Sequence, residues 1–177
     1  IALEFARASE SVDAAALAPM LSGAEDPNAV LTRIGNGDAQ AGANQVNDAL
    51  RELGLVNTFV AQPYGRANRP PAIVTPANAR GDVNAAPDPT AQSTPAEVGV
   101  LLEMLEQCRA NTGALVLVYQ NLLTPAKCEG LLAAFTAAQP PGLIAAGSPG
   151  ATVIQRQSWT ASTHSAAGIV RAPGRTY

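Results

Sequence analysis

Six prolines lie between Leu55 and Ser93: Pro63, Pro70, Pro71, Pro76, Pro87 and Pro89. A proline inside a helix removes an amide donor and its ring collides with the preceding turn, at a cost of about 3 kcal/mol. Little helix can form across this stretch. The chain is therefore divided into a helical block before it and another after it. Structureless loops of this length are usually functional or disordered. This one carries Ile73-Val74 and several Asn and Asp residues, which predicts an ordered loop held against the body.

The first block reads as short helices with tight links. Ile1 to Arg7 forms an apolar-rich helical turn with no capping residue ahead of it, which predicts a segment upstream. Ser11 or Asp13 can cap a segment bearing Ala14, Leu17, Met20 and Leu21. Asp26-Pro27 reads as an N-cap followed by Pro at the first helical position. That helix presents Val30, Leu31 and Ile34 and stops at Gly35. Asp38 opens another, with Ala43, Val46, Ala49, Leu50 and Leu53 at helical spacing, and Gly54 as a left-handed C-cap.

The second block opens on the sharpest local signal in the chain. In Thr94-Pro95-Ala96-Glu97, Thr is the N-cap, Pro takes the first position, and Glu reaches back in a capping box. The helix runs through Val98, Leu101, Leu102 and Leu105 to Cys108. Ala114 to Tyr119 reads as a loop lining or a short strand. Thr124-Pro125 starts a further helix with Leu131, Leu132 and Phe135 inward, ending before Pro140-Pro141. Leu143 to Ala146 is a short helical or extended link. Residues 152–160 and 166–171 are rich in β-branched side chains and read as two antiparallel strands. Two strands alone are marginal, so the sheet reads as incomplete.

Composition narrows the function classes. Hydrophobic residues make up 47% of the 177, enough for a real core, and charged residues only 14%. The net charge of −3 argues against nucleic acid, which needs a basic face. No apolar run approaches the roughly 20 residues needed to span a bilayer. Cys108 and Cys128 are either two buried thiols or a disulfide. A bridge would close a loop of about 20 residues, worth roughly 3 kcal/mol, and would favour an oxidising compartment. The two sit at one end of a predicted helical hairpin, which suits a bridge. No zinc spacing is present, and no cofactor is called for.

These segments, in this order, resemble the serine hydrolases of the class A β-lactamase and penicillin-binding protein superfamily. Met20-Leu21-Ser22 through Thr32-Arg33-Ile34-Gly35 resembles the stretch that carries Ser-Asp-Asn in that family. Val46 through Leu55, with Asn57-Thr58, resembles the helix and turn that follow. Thr94-Pro95-Ala96-Glu97 and its Leu-rich helix look like the helix after the omega loop. Leu123-Thr124-Pro125 resembles the next helix start. Gln155 to Trp159, with Ala167-Gly168-Ile169-Val170, looks like the strand carrying Lys-Thr-Gly and its neighbour.

The resemblance implies three motifs around one cleft: Ser-x-x-Lys for the nucleophile, Ser-Asp-Asn for proton shuttling, and Lys-Thr-Gly for the substrate carboxylate. The sequence departs at each. Lys127 is the only lysine, and Thr124 stands three residues before it. Ser22-Gly23-Ala24 stands where Ser-Asp-Asn belongs, so Ser22 is either a surviving shuttle or a helix-end serine. Arg156-Gln157-Ser158 stands where Lys-Thr-Gly belongs. Arg156 is then an anion-binding residue, since a guanidinium can hold a carboxylate bidentately, or a solvated strand arginine. Trp159 is a cleft lining or a wedge between sheet and helices. Asn78, Asp82 and Asn84 fall in the counterpart of the omega loop, but Thr75 to Asp88 contains no Glu for deacylation.

The resemblance thus implies a β-lactamase-like α+β fold. Residues 1–150 form a helical domain that includes the 55–93 loop, and 151–177 form a strand pair. With its motifs altered, such a chain is expected to be a non-catalytic extracellular or cell-envelope module. Its partners would be other protein chains or a cell-wall peptide or β-lactam-like ligand, met by Arg156, Gln157, Ser158 and Trp159. The alternative is the trailing portion of an active envelope hydrolase whose nucleophile lies upstream of Ile1.

Overall fold

Side-chain caps decide where the helices begin. The computed structural model describes residues 1–8, 14–22, 24–68, 70–71, 73–82, 89–137, 142–159 and 164–177. The proposed caps Ser11 and Asp13 lie outside these residues, as do Gly23, Asn84, Pro87, Pro140, Pro141 and Thr160. The first block holds α1 (Ala2–Ala8), α2 (Ala14–Ser22), α3 (Pro27–Ile34) and α4 (Ala39–Glu52). Asp26 caps α3 by accepting from the Asn28 amide, and Asp38 caps α4 by accepting from Gln40 and Ala41. Gly42 lets α4 lie directly on α3, because a Cβ there would stand 1.9 Å from the Leu31 carbonyl oxygen. Gly54 has φ +76, the left-handed turn residue foreseen after α4.

The proline-rich stretch contributes β1 (Phe59–Val60) and β2 (Ala91–Gln92), a two-residue antiparallel pair that joins its two ends. Amide side chains hold its described parts to the body. Asn47 donates to the Val60 carbonyl and accepts from its amide at 2.9 and 2.8 Å. Asn28 does the same for Tyr64. Asn78 bridges Thr75, Ile73 and Gln92. The expected order of this loop is present in its described parts, and the Asn residues are its mechanism: each supplies a donor and an acceptor to backbone that no ladder satisfies.

The second block holds α5 (Pro95–Arg109), α6 (Ala114–Val118), α7 (Pro125–Ala137) and α8 (Leu143–Ala146). Residues 114–118 are helical, neither strand nor loop. Leu115 is fully buried in the main core, and packing of that side chain overrides the β preference of the run Leu115-Val116-Leu117-Val118. Thr94 caps α5 by accepting from the Glu97 amide at 3.2 Å. Glu97 does not close the box on its own helix. It reaches back 40 residues, accepting from the Asn57 amide at 2.8 Å and side chain at 2.7 Å and from the Thr58 hydroxyl at 2.5 Å. Cys108 and Cys128 form a disulfide, Cα–Cα 6.0 Å, that ties the end of α5 to the start of α7.

The chain ends in β3 (Thr152–Trp159), β4 (His164–Ala172) and β5 (Arg175–Thr176), antiparallel in that order. Among the described residues the sheet therefore has three strands, not two. Pro173-Gly174 turns β4 into β5, and Tyr177 extends the pairing by exchanging both backbone bonds with Val170. Ile154 and Ile169 lie opposite one another and join Leu105, Cys108, Leu131 and Leu132 in one core. Helices α5 and α7 thus cover one face of the sheet. Among the described residues no helix is long and apolar enough to cross a membrane.

Candidate functional site

Strand parity places Arg156 on the same sheet face as Ile154, two residues further along β3 and opposite Ala167. Ile154 points into the core beneath α5 and α7. Arg156 therefore extends that face toward the start of α5, where the helix no longer fills the space above the sheet. A cavity of about 640 Å³ opens there. Arg156, Gln157, Ala166, Ala167 and Gly168 line the sheet side; Thr94, Pro95, Val98, Gly99 and Leu102 line the helix side; Ile144 of α8 also borders it.

Two of the cavity's lining residues each hold a buried polar atom with no hydrogen-bond partner among the described residues: Nη1 of Arg156 and Oε1 of Gln157. Burial holds the Arg156 guanidinium below its ordinary value, with no carboxylate set against it. A half-buried cation without a counter-charge is stabilised by any anion that reaches it. Gln157 and Gln155 press against Gly142 at the start of α8, where a Cβ would come within 2.6 Å of both side chains.

The other arginine on this face is Arg171 of β4, opposite Thr152. It donates to both oxygens of Glu106 on α5, at 3.1 and 2.5 Å. Arg109 binds the same carboxylate at 2.9 and 3.2 Å. Burial alone would raise the Glu106 pKa, but the bonds from Arg109 and Arg171 outweigh it and hold the group below its ordinary range. Glu97, at the opposite end of the helix, is likewise held low: burial raises it, and the donors of Thr58 and Asn57 outweigh that.

The remaining sequence candidates lie elsewhere or beyond description. Ser22 is exposed at the end of α2; its hydroxyl donates to the Pro19 carbonyl at 3.1 Å and accepts from Ala24. It does not line the cavity. Ser158 and Trp159 sit on β3 opposite Ser165 and His164, and their side chains lie outside the described residues. In the counterpart of the omega loop, Asn78 is a structural staple and Asp82 pairs with Arg80 at the surface.

Sequence reasoning missed the helix wall of the cavity. The signal was available: Pro95, Val98, Gly99 and Leu102 fall at i, i+3, i+4 and i+7, a second apolar stripe beside the core stripe of Leu101, Leu105 and Cys108.

Compared with known protein families, the chain matches the beta-lactamase enzyme family over residues 37–177. This span contains α4, the proline-rich loop, α5 and the whole sheet, so every residue that lines the cavity lies within it. Comparison with curated proteins and with solved structures gave no match.

Proposed function

Because the chain belongs to the beta-lactamase enzyme family, we propose that it serves as a non-catalytic binding or assembly module whose cavity takes a carboxylate-bearing ligand. The observation that carries this is the half-buried guanidinium of Arg156, which has no carboxylate set against it among the described residues, in the lining of a cavity of ligand size. Family membership alone sets the fold and not the chemistry, which must be argued from the residues at the site. No Ser-x-x-Lys occurs in the 177 residues. The hydroxyl of Ser22 is spent on its own helix end, away from the cavity. A ligand carboxylate would supply Arg156 with the charge-assisted partner it lacks. A cell-wall peptide, a β-lactam-like compound or the carboxylate of another protein chain meets that requirement. The disulfide fits an oxidising compartment, which supports an extracellular or cell-envelope setting.

The second reading is an active envelope hydrolase with its nucleophile upstream of Ile1. The family match and the cation at position 156 favour it. A fluorescent penicillin separates the two. The binding reading predicts reversible, saturable binding with no covalent label after denaturation, weakened about tenfold or more in Arg156→Ala. Stoichiometric labelling of a serine would establish the hydrolase instead. Unchanged reversible binding by Arg156→Ala would remove Arg156 from the site.

A further inference from the structure

The cavity at Arg156 is chemically one-sided. Its one charge among the described residues is the Arg156 guanidinium, while Pro95, Val98, Leu102, Ile144 and Ala167 make most of the remaining lining apolar beside Ser93, Thr94, Gln157 and Ser165. The groove also continues past this cavity. Gly99, Leu102 and Gly168 are shared with a second cavity of about 460 Å³, which runs along α5 to Glu106 and Tyr177. The result is an elongated apolar trough between α5 and β4 with an unsatisfied cation toward one end. Its other end carries Glu106, already saturated by Arg109 and Arg171, and Glu103, which accepts from Gln107. A small polar anion would satisfy the cation and leave the trough wet. An uncharged hydrocarbon would fill the trough and leave the cation orphaned.

We propose that the α5–β4 groove binds a single-chain acyl carboxylate, its head on the Arg156 guanidinium and its alkyl chain laid between Leu102 and the Ala167-Gly168 segment of β4. This rests on the anion-binding reading of Arg156 and adds the apolar tail to it. Gly99 is the contact point that tests the tail. A Cβ at Gly99 meets nothing within 4 Å, so a side chain can be introduced at this point of the lining without a clash at its root. Gly is also a poor residue for the interior of a helix, so its replacement should keep or raise the melting temperature.

The experiment is calorimetric titration of the full chain with butyrate, octanoate, decanoate and dodecanoate below their micelle concentrations. Kd should fall by about fourfold for each added methylene that enters the groove. Gly99→Met should weaken dodecanoate by about tenfold or more and leave butyrate unaffected. Dodecyl maltoside, which has the same tail and no charge, should bind at least about tenfold more weakly than dodecanoate. Equal affinity for short and long carboxylates would overturn the acyl-chain proposal and leave the anion reading standing. No binding of any carboxylate would overturn both. Equal binding of the maltoside would overturn the role given to Arg156. Should Gly99→Met fail to fold, the chain-length series on the unaltered protein decides the matter alone.

Discussion

Arg171 and Arg156 lie on one face of one sheet, at opposite ends of the same helix, yet their surroundings differ completely. Arg171 has both oxygens of Glu106, and Glu106 is gripped a second time by Arg109. Arg156 has a buried Nη1 with nothing to meet it. The difference follows from where α5 makes its contacts. Its C-terminal end is stapled to α7 by the disulfide and to β4 through Glu106, so charge there serves the fold. Its N-terminal end is capped by Thr94 and tied sideways by Glu97 to the turn at Asn57-Thr58. That sideways tie draws on the proline-rich loop rather than the sheet, and a cavity remains between the helix and β4. One arginine is held by a carboxylate and the other has none set against it among the described residues.

The strongest way to break the comparison is to release the anchored end. Replacing Cys108 and Cys128 together by Ala should lower stability by about 3 kcal/mol, the loop-closure contribution of a bridge of this span. A lower urea midpoint would report it, with a slope that rises as the freed unfolded chain exposes more surface. A shift below about 0.5 kcal/mol would mean that packing of α5 on α7, and not the bridge, holds this end. Next comes Glu106→Gln. It leaves Arg109 and Arg171 facing a neutral amide, so about 2 kcal/mol should be lost. The same pair predicts a pH dependence. Glu106 has a folded pKa below its ordinary value near 4.5, so its stabilisation is present in full above that value and fades as pH falls toward the lower folded one. The stability difference between wild type and Glu106→Gln should therefore shrink in acid. A difference that stays constant from neutral pH to about pH 3 would detach Glu106 from this role.

The anchored and open ends were not equally legible in the sequence. Asp26, Asp38 and Thr94 were readable as caps because each satisfies an amide two or three residues away. The disulfide was readable because two helix boundaries already placed its cysteines together. The clamp between Glu106 and Arg171 was not, since 65 residues separate them and only the packing of α5 on β4 brings them into contact. Glu97 shows the limit of local patterns. Its spacing fits a capping box, but the better-placed donors belong to Asn57 and Thr58. The third strand was missed because Arg175-Thr176 is too short to show alternation, and only its pairing with Arg171 and Ala172 defines it. At the site, the cation at 156 was visible from the sequence. That its Nη1 is buried without a partner was not, because an unmet hydrogen bond is a property of every neighbour at once.

The smallest expected effect is also the one that separates the two arginines most cleanly. Arg156→Met keeps a long apolar stem and removes a desolvated cation with no charged partner, so it should leave stability unchanged or raise it by about 1 kcal/mol. Arg171→Met removes the same charge from beside a half-buried carboxylate and should destabilise by about 1 to 2 kcal/mol. Thermal melts of the two variants side by side give opposite signs if Arg156 is kept for a ligand and Arg171 for the fold. Were Arg156→Met to destabilise as much as Arg171→Met, the guanidinium at 156 would be holding the sheet together through contacts of its own. The cavity would then be a gap in packing rather than a place prepared for an anion.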